Sequence, residues 1–385
     1  MEATAQSAME SNLAALEAVL PRKGRVIIVP HNYPDPDALA AAAAVELLLA
    51  QRFHLHGQIV FTGVVSRAEN RELLKHFRYK WRLLSQLRES TNEKLPCIFV
   101  DTTPWAGNVT APRFVRPAAV FDHHPCARQS SWIQKMGIFS DIRVGVGASA
   151  SMMYDYLTAC GIIIPKWLAT IMAYAIATET MDLSMHASDL DLKAYHDLLG
   201  RANMTILGKI RHAPLPRSYY GQLQEAMRNA YTYGRVAWSH LDDVRQPEIV
   251  SEIADLLLRA ERITWSFCTA FQQDSLLVSI RSSHSKARCG SLVKRLIGAK
   301  GSAGGHNRMA AGYMDVRNMP AEQRELQRIA FAKAILANIE HRVVQENETL
   351  EQIAKPLSES RGGLRETAAA GPAGSPSKQD ASTPM

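Results

Sequence analysis

Three short segments carry side chains that could bind a divalent metal ion. Residues 31 to 37 read His-Asn-Tyr-Pro-Asp-Pro-Asp, a second segment ends on Asp101, and a third ends on the triplet Asp-His-His at 122 to 124. Carboxylates as close as Asp35 and Asp37 repel each other and are costly to desolvate together, so a cation would stabilise the arrangement. A surface turn rich in Asp and Pro is the alternative for the first segment taken alone.

Each of these segments follows an apolar run that predicts a buried strand. The runs cover residues 26–29, 97–100 and 118–121. In open parallel α/β sheets, ligands bind outside the carboxyl ends of the strands, so the three loops should converge on one crevice. A single aspartate at a strand end is usually a helix cap or a turn residue. Three such strand ends in one chain favour a metal site instead.

These residues resemble the DHH phosphoesterase superfamily, named for the triplet that stands here as Asp122-His123-His124. The resemblance runs from about residue 24 to about residue 315. It implies a doubly wound, mainly parallel α/β sheet with a second, smaller α/β domain across a cleft. The alternation of strand and helix patterns from residue 26 to about residue 199 independently predicts a doubly wound sheet.

One further block departs from the superfamily pattern. The helical stretch 173–180 leads into an acidic residue flanked by threonines, and that acid is Glu179 where the usual residue is aspartate. Asp182 stands three residues further on as a candidate substitute. Glutamate still supplies an oxygen ligand to a hard cation, so we expect retained metal binding with altered geometry. An exposed acid at a helix end is the alternative interpretation.

The region from residue 276 to residue 306 resembles the associated C-terminal domain of the same enzymes. There the resemblance assigns substrate binding to a strand bearing Arg-Ser and to a glycine-rich loop that ends in histidine. A guanidinium suits phosphate oxygens, and glycines let a phosphate approach the backbone closely. Ala303 stands where many relatives have a third glycine. The expected substrate-binding residues are His124, Arg281, Ser282, Gly304, Gly305 and His306.

The resemblance also implies how the metal ligands divide. His31, Asp35 and Asp101 would hold one cation; Asp37, Asp101, His123 and Glu179 would hold a second, with Asp101 bridging. Carboxylate and imidazole ligands without thiolate favour Mn²⁺, with Mg²⁺ or Co²⁺ as substitutes. The expected catalytic residues are Asp101, Asp122, which would orient His123, and His124, which would face the scissile phosphate. The expected nucleophile is a metal-activated hydroxide.

Composition fits an enzyme of a reducing compartment. The chain has 385 residues, a formal net charge of +7 and five cysteines without a Cys-x-x-Cys pair. The length predicts two domains plus tails, and the cysteines predict free thiols in the cytoplasm. We expect no secretory signal and no membrane-spanning helix. The predicted divisions are 1–22 (N-terminal helix), 23–212 (DHH domain), 213–233 (linker and connecting helix), 234–345 (associated domain) and 346–385 (mostly disordered tail).

The leading functional hypothesis is a manganese-dependent phosphoesterase that resembles the oligoribonuclease and 3'-phosphoadenosine 5'-phosphate phosphatase branch. Its substrate would be a nucleotide or a short single-stranded RNA, and positive charge would concentrate such anions. A cyclic-di-AMP (or pApA) phosphodiesterase is the close alternative. The alternative of another class is a nucleotide-binding regulatory protein with impaired catalysis, which rests on Glu179 and Ala303. The associated domain argues against an inorganic pyrophosphatase, and a homodimer is the default expectation.

Overall fold

The chain divides into two compact units, Met1–Tyr220 and Gly221–Met385. The computed structural model describes residues 2–63, 65, 67–87, 94–125, 130–284, 286–305, 307–340 and 350–359. His306 therefore lies outside the described residues. The observed division after Tyr220 falls inside the segment 213–233 that we predicted to connect the domains.

The first unit is built on a six-stranded sheet in which every pair of neighbouring strands is parallel. The strands are β1 (Arg25–Pro30), β2 (His56–Phe61), β3 (Trp81–Leu83), β4 (Leu95–Val100), β5 (Val115–Asp122) and β6 (Phe139–Ile142). Their spatial order is β3-β2-β1-β4-β5-β6. The order reverses between β1 and β4, and the carboxyl ends of strands at such a switch point form a crevice. The predicted doubly wound parallel sheet is confirmed.

Most helices pack on one face of this sheet, and the short helix α4 (Ser130–Lys135) packs on the other. The others are α1 (Glu2–Val19), α2 (Pro36–Arg52), α3 (Ala68–His76), α5 (Ser149–Ala159), α6 (Lys166–Glu179), α7 (Asp189–Arg201) and α8 (Met204–Arg211). A further helix, α9 (Arg217–Arg228), crosses the boundary into the second unit. Val26 and Ile28 pack in one apolar cluster, whereas Ile27 and Val29 pack in another on the opposite face. Side chains alternate along a strand, so burial on both faces explains the continuous apolar run.

The alanine-rich helix α2 lies at the centre of the first cluster. Residues 37–49 are all buried, and small alanine side chains let a helix approach its neighbours closely. Pro36 occupies the first turn of α2, where its missing N–H costs nothing. The apolar run that begins at residue 162 leads into a second buried helix, α6, which packs in the same cluster. Among the described residues, no helix has both the length and the apolar character needed to span a membrane.

The second unit contains a seven-stranded mixed sheet with the order β11-β12-β10-β9-β8-β7-β13. Its strands are β7 (Tyr231–Tyr233), β8 (Val236–Asp243), β9 (Trp265–Gln272), β10 (Ser275–Ser282), β11 (Gly301–Gly305), β12 (Met309–Asp315) and β13 (Lys355–Pro356). Its helices are α10 (Glu248–Leu258), α11 (Cys289–Ile297), α12 (Ala321–Glu340) and α13 (Leu350–Ile353). Among the described strands of this second sheet, β8 and β9 pair in parallel and all other neighbours are antiparallel.

Two segments of this unit differ from our expectations. The glycine-rich segment is not a loop: Gly301–Gly305 forms the edge strand β11, and Gly304 pairs with Ala311 of β12. Backbone hydrogen bonds to β12 satisfy a segment that has almost no side chains to pack. At the other edge, β13 pairs with β7, so residues that we placed in the tail extend the sheet. Pro356 fits there because an edge strand tolerates a missing N–H.

Candidate metal centre

The loops that follow β1 and β4 meet at the switch point of the first sheet. The backbone N–H of Asn32 donates to the carbonyl of Asn108 at 2.7 Å, and Asn32 Nδ2 donates to Thr110 Oγ1 at 3.0 Å. These bonds hold the His31 loop against the loop that begins at Asp101. Parallel strand pairing between β1 and β4 thus brings together motifs that are about 70 residues apart in sequence.

The first ligand group consists of His31, Asp35 and Asp101. His31 Nε2 lies 3.5 Å from Asp35 Oδ2 and 3.5 Å from Asp101 Oδ2. The other ring nitrogen, Nδ1, lies 2.8 Å from the carbonyl of Asn32. Asp35 also caps α2, since its Oδ1 accepts from the N–H of Ala38 at 3.0 Å. The helix-cap interpretation of a strand-end aspartate is therefore correct here, but a second oxygen remains directed at His31.

The second group is formed by His123, Asp37 and Asp101. His123 Nε2 lies 3.4 Å from Asp101 Oδ1 and 3.9 Å from Asp37 Oδ2. Its Nδ1 lies 3.2 Å from the carbonyl of Val146. Nε2 is buried and has no hydrogen-bond partner among the described residues. An imidazole anchored through one nitrogen to a backbone carbonyl, with the other nitrogen directed at carboxylates, is the usual arrangement of a metal-ligating histidine.

Asp101 belongs to both groups and is held in an unusual backbone conformation. Its φ is +57°, a left-handed conformation that is uncommon outside glycine, and the residue is only 3 % exposed. Two sets of potential ligands share it: His31 with Asp35, and His123 with His124, with ligand atoms in each set within 4.8 Å of one another. This is the arrangement that a bridging carboxylate requires.

The amino terminus of α5 supports both buried carboxylates. The backbone N–H groups of Ser149 and Ala150 donate to Asp37 at 2.7 and 2.8 Å, and Ser149 Oγ donates to Asp101 Oδ1 at 2.9 Å. A helix amino terminus favours negative charge. We did not predict this role for Ser149. The small residues that precede and begin α5 were the available signal, because only small side chains let a helix end come so close.

Asp122 contacts a different histidine from the one that we predicted. Its Oδ1 lies 2.8 Å from His124 Nδ1 and accepts from the backbone N–H of His124 at 3.0 Å. His123 is instead anchored by Val146, as described above. The reason is local geometry: the Asp122 carboxylate turns toward the residue two positions later in the chain and bonds to both its backbone and its ring. Asp122 therefore orients His124.

Glu179 stands at the end of α6, and its side chain is exposed. Its surroundings distinguish it from Asp182, the alternative acid. Despite this exposure, desolvation by the surrounding protein and the negative charges of Asp35, Asp37 and Asp101 raise the pKa of Glu179 to about 9. Asp182 is 82 % exposed and lies 3.6 Å from Arg211. Glu179 is thus within the electrostatic field of the cluster, whereas Asp182 pairs with a surface arginine.

The electrostatics of the cluster indicate that a cation belongs in it. Desolvation and the Asp101 charge raise the pKa of Asp37 to about 7. Burial alone would lower the pKa of both histidines. The carboxylates of Asp35 and Asp101 outweigh it for His31, and those of Asp101 and Asp37 outweigh it for His123, so that both pKa values rise to about 10. Burial would raise the pKa of Asp101, but the surrounding histidines hold it well below its usual range. Without a metal ion, protons on the histidines and on Asp37 compensate the clustered negative charge. A divalent cation can supply the same compensation, because the oxygen and imidazole groups are suitable ligands for it.

In the second unit, the structure places the predicted substrate residues in different settings. Arg281 is 9 % exposed; its Nε donates to Asp255 and its Nη1 donates to Ser279 Oγ at 2.7 Å. Ser282 is buried and donates to the carbonyl of Thr264 at 3.1 Å. Gly304 and Gly305 are exposed on β11. Their role in substrate binding stays a prediction, as does that of His306.

No protein-family model matches the chain. An uncharacterized protein of Methanocaldococcus jannaschii is 24 % identical over 331 residues, which cover 83 % of this chain and 64 % of that protein. A probable manganese-dependent inorganic pyrophosphatase of Streptococcus pyogenes is 24 % identical over 169 residues, or 43 % of this chain and 52 % of the relative. The chain therefore spans about half to two thirds of the length of these curated relatives.

The crystal structure of an exopolyphosphatase-related protein from Bacteroides fragilis superposes with a TM-score of 0.59 at 12 % sequence identity. The match covers 86 % of this chain and 98 % of that one. Both the parallel sheet and the mixed sheet of this chain agree with the architecture expected from the motif resemblance. The chain therefore shares the fold of this exopolyphosphatase-related protein.

Proposed function

We propose that this chain is a metal-dependent phosphoesterase that uses Mn²⁺. The observation that carries the proposal is the sharing of Asp101 between two histidines, each with Nε2 directed at carboxylates and Nδ1 anchored to a backbone carbonyl. Two ions are proposed, one held by His31, Asp35 and Asp101. The other is held by Asp37, Asp101, His123 and Glu179.

The identity of the metal follows from the donor set. Carboxylate and imidazole groups without thiolate suit Mn²⁺, and Mg²⁺ or Co²⁺ are the substitutes. A relative described as a manganese-dependent pyrophosphatase supports the same choice. When bound, such ions lower the pKa of a coordinated water and stabilise charge on phosphoryl oxygens.

His124 is proposed to serve the scissile phosphate. Its Nδ1 donates to Asp122 Oδ1, and this hydrogen bond fixes the orientation of the ring. Burial alone would lower the pKa of His124, but Asp122 and the Asp101 charge outweigh this and raise it. A protonated imidazole held in one orientation can donate to a phosphoryl or leaving-group oxygen. Ser149 keeps Asp101 and Asp37 in place during this step.

The proposed substrates are short oligoribonucleotides and 3'-phosphoadenosine 5'-phosphate. The net charge of +7 favours anionic substrates in general. Cyclic di-AMP, or its product pApA, is the alternative within the same chemistry. A regulatory protein that binds nucleotides without turnover is the alternative of another class, and it rests on the replacement of the usual aspartate by Glu179.

The testing experiment measures phosphate and mononucleotide release by the full chain with Mn²⁺. Three substrates are compared: 3'-phosphoadenosine 5'-phosphate, pApA and cyclic di-AMP, each also with the Asp101→Ala variant. We expect turnover of the first two that is lost in the variant. A preference for cyclic di-AMP would promote the alternative substrate. Nucleotide binding without turnover of any of the three would contradict the enzyme hypothesis and support a regulatory protein instead.

A further inference from the structure

Two large aromatic side chains are exposed in the loops that carry the metal ligands. Tyr33, between His31 and Asp35, is 64 % exposed, and Trp105, four residues after Asp101, is 56 % exposed. The loops follow the adjacent strands β1 and β4 and are joined by the hydrogen bonds between Asn32 and Asn108 and between Asn32 and Thr110. Both aromatic residues therefore belong to loops at the carboxyl ends of the strands, which also carry the metal ligands.

The backbone at both positions is strained. Tyr33 has a φ of +55° and Trp105 a φ of +66°, and bulky residues rarely adopt this left-handed conformation. Asp101, between them in the chain, shares the feature with a φ of +57°. Such strain persists where the surrounding structure imposes it, and it concentrates at sites of function. Glycine or asparagine would adopt these conformations at lower cost.

Tyr33 is also held by the residues that follow β2. Its backbone N–H donates to the carbonyl of Thr62 at 2.7 Å. Gly63 has a φ of +98°, and a Cβ at that position would lie 2.5 to 2.8 Å from atoms of the Tyr33 ring. The ring therefore rests directly on the Gly63 backbone, and only glycine leaves room for it. Trp105 lies in a turn closed by the hydrogen bond from the N–H of Ala106 to the carbonyl of Thr103 at 3.1 Å.

We infer that Tyr33 and Trp105 form a stacking surface for a nucleobase of the substrate. This inference rests on the proposed function and names the substrate class for that site. When a phosphoester occupies the metal centre, the attached nucleoside extends toward the rim, where exposed aromatic faces can stack on it. Stacking tolerates any base, because every base has a π-face. Inorganic pyrophosphate and polyphosphate have no such face, so these residues select nucleotides over inorganic chains.

The test compares binding of AMP with binding of ribose 5-phosphate, which carries the same phosphate without the base. Dissociation constants are measured by calorimetry on the full chain with Mn²⁺. We expect AMP to bind at least about tenfold more tightly, the scale for one base–aromatic stack. Trp105→Ala should raise the AMP constant by about tenfold and leave the ribose 5-phosphate constant within about twofold.

Two controls separate stacking from a structural effect. Trp105→Phe retains an aromatic face and should keep AMP binding within about threefold. Trp132→Ala removes a tryptophan that is 61 % exposed on α4, so AMP binding should not change. Trp105→Gly removes the ring together with the steric cost of its φ, so it should lose AMP affinity without melting below Trp105→Ala.

The inference is overturned if AMP and ribose 5-phosphate bind equally, if AMP does not bind, or if Trp105→Ala weakens both ligands alike. These outcomes are independent of turnover. A chain that hydrolyses phosphoesters but shows no base dependence would retain the proposed function and lose the stacking surface. If the chain binds AMP through Trp105 but hydrolyses no phosphoester, the stacking surface is retained and the proposed function is lost.

Discussion

The metal centre of the first unit and the Arg281 cluster of the second unit are both rich in buried polar groups, but they use them differently. In the metal centre, His123 Nε2 has no hydrogen-bond partner among the described residues, and the pKa of Asp37 is raised to about 7. In the Arg281 cluster, the guanidinium donates to Asp255, to Ser279 and to the carbonyl of Ile280.

The imidazole nitrogen that lacks a partner among the described residues identifies the metal centre as the cluster suited to bind a ligand. A buried polar group without a partner costs free energy, so such an imidazole nitrogen beside buried carboxylates indicates a place for a cation. A cluster whose donors and acceptors are matched stabilises the fold. Substitutions in the metal centre should therefore change activity more than stability, and substitutions in the Arg281 cluster should do the opposite.

The strongest test of this contrast is Asp101→Asn. The amide keeps the size of the side chain but removes the charge shared by the two ligand groups, so Mn²⁺-dependent hydrolysis should fall by about 10³-fold or more. Asp182→Asn is the matched control, because Asp182 is 82 % exposed and lies 3.6 Å from Arg211 on the surface. Its rate should stay within about twofold of wild type. Equal losses in the two variants would remove Asp101 from its proposed role.

The second prediction concerns metal removal and pH. In the folded chain the pKa of Glu179 is raised from its ordinary 4.5 to about 9, and the pKa of His123 is raised from 6.5 to about 10. Both values are raised, so their contribution to stability is present at low pH and is lost as pH rises through the folded values. The melting temperature of the EDTA-treated chain should therefore fall as pH rises above about 5.

Thermal melts between acidic and alkaline pH, with and without excess Mn²⁺, measure this effect. Mn²⁺ should raise the melting temperature more at alkaline pH, because fewer protons then compete for the ligands. Glu179→Gln in EDTA should have a shallower pH dependence than wild type. A metal-induced shift of the same size at every pH would contradict the linkage.

Replacement of Glu179, a proposed metal ligand, should have a smaller effect, and that effect should be on Mn²⁺ binding. Glu179→Ala should weaken Mn²⁺ binding by about 10- to 100-fold, the range for groups that tune a metal site. Glu179→Asp should bind Mn²⁺ nearly as well as wild type, since an oxygen donor is retained. Calorimetric titration with Mn²⁺ gives both constants. Unchanged binding in Glu179→Ala would identify Glu179 as an ordinary acid at a helix end.

The smallest predicted effect lies in the second unit. Arg281→Lys cannot reproduce the bonds to Asp255 and Ser279, so the free energy of unfolding should fall by about 1–3 kcal/mol. Its Mn²⁺ affinity should not change. Arg317→Lys is the control, because the Arg317 side chain is 69 % exposed. If Arg281→Lys instead raised KM at unchanged stability, Arg281 would act in substrate binding, as the resemblance implied.

Much of the first unit could be predicted from local patterns. The β-branched runs before His31 and Asp101 predicted buried strands, and strand polarity predicted that their carboxyl ends would meet. The role of Ser149 could not be predicted, because it depends on a helix end reaching Asp37 and Asp101 across more than 40 residues of sequence. The sequence also could not predict which histidine Asp122 contacts, because the rotamer of the Asp122 side chain decides between His123 and His124.

The second unit was less predictable, and the reason is again physical. A glycine-rich segment has no side-chain periodicity, so nothing in it distinguished a loop from the edge strand β11. Pairing with β12 decided the matter. The pairing of β13 with β7 joins residues 355 and 232, and no local pattern can reveal a partner that far away.

The residue types alone fix the available chemistry: oxygen and imidazole donors are present, and each set follows a strand. The arrangement of these donors in space depends on the packing of the whole unit. The switch point between β1 and β4 placed Asp101 between His31 and His123, and α5 supplied the N–H groups that hold the carboxylates. Side-chain type is written in the chain, whereas distance and desolvation arise only when remote segments pack together.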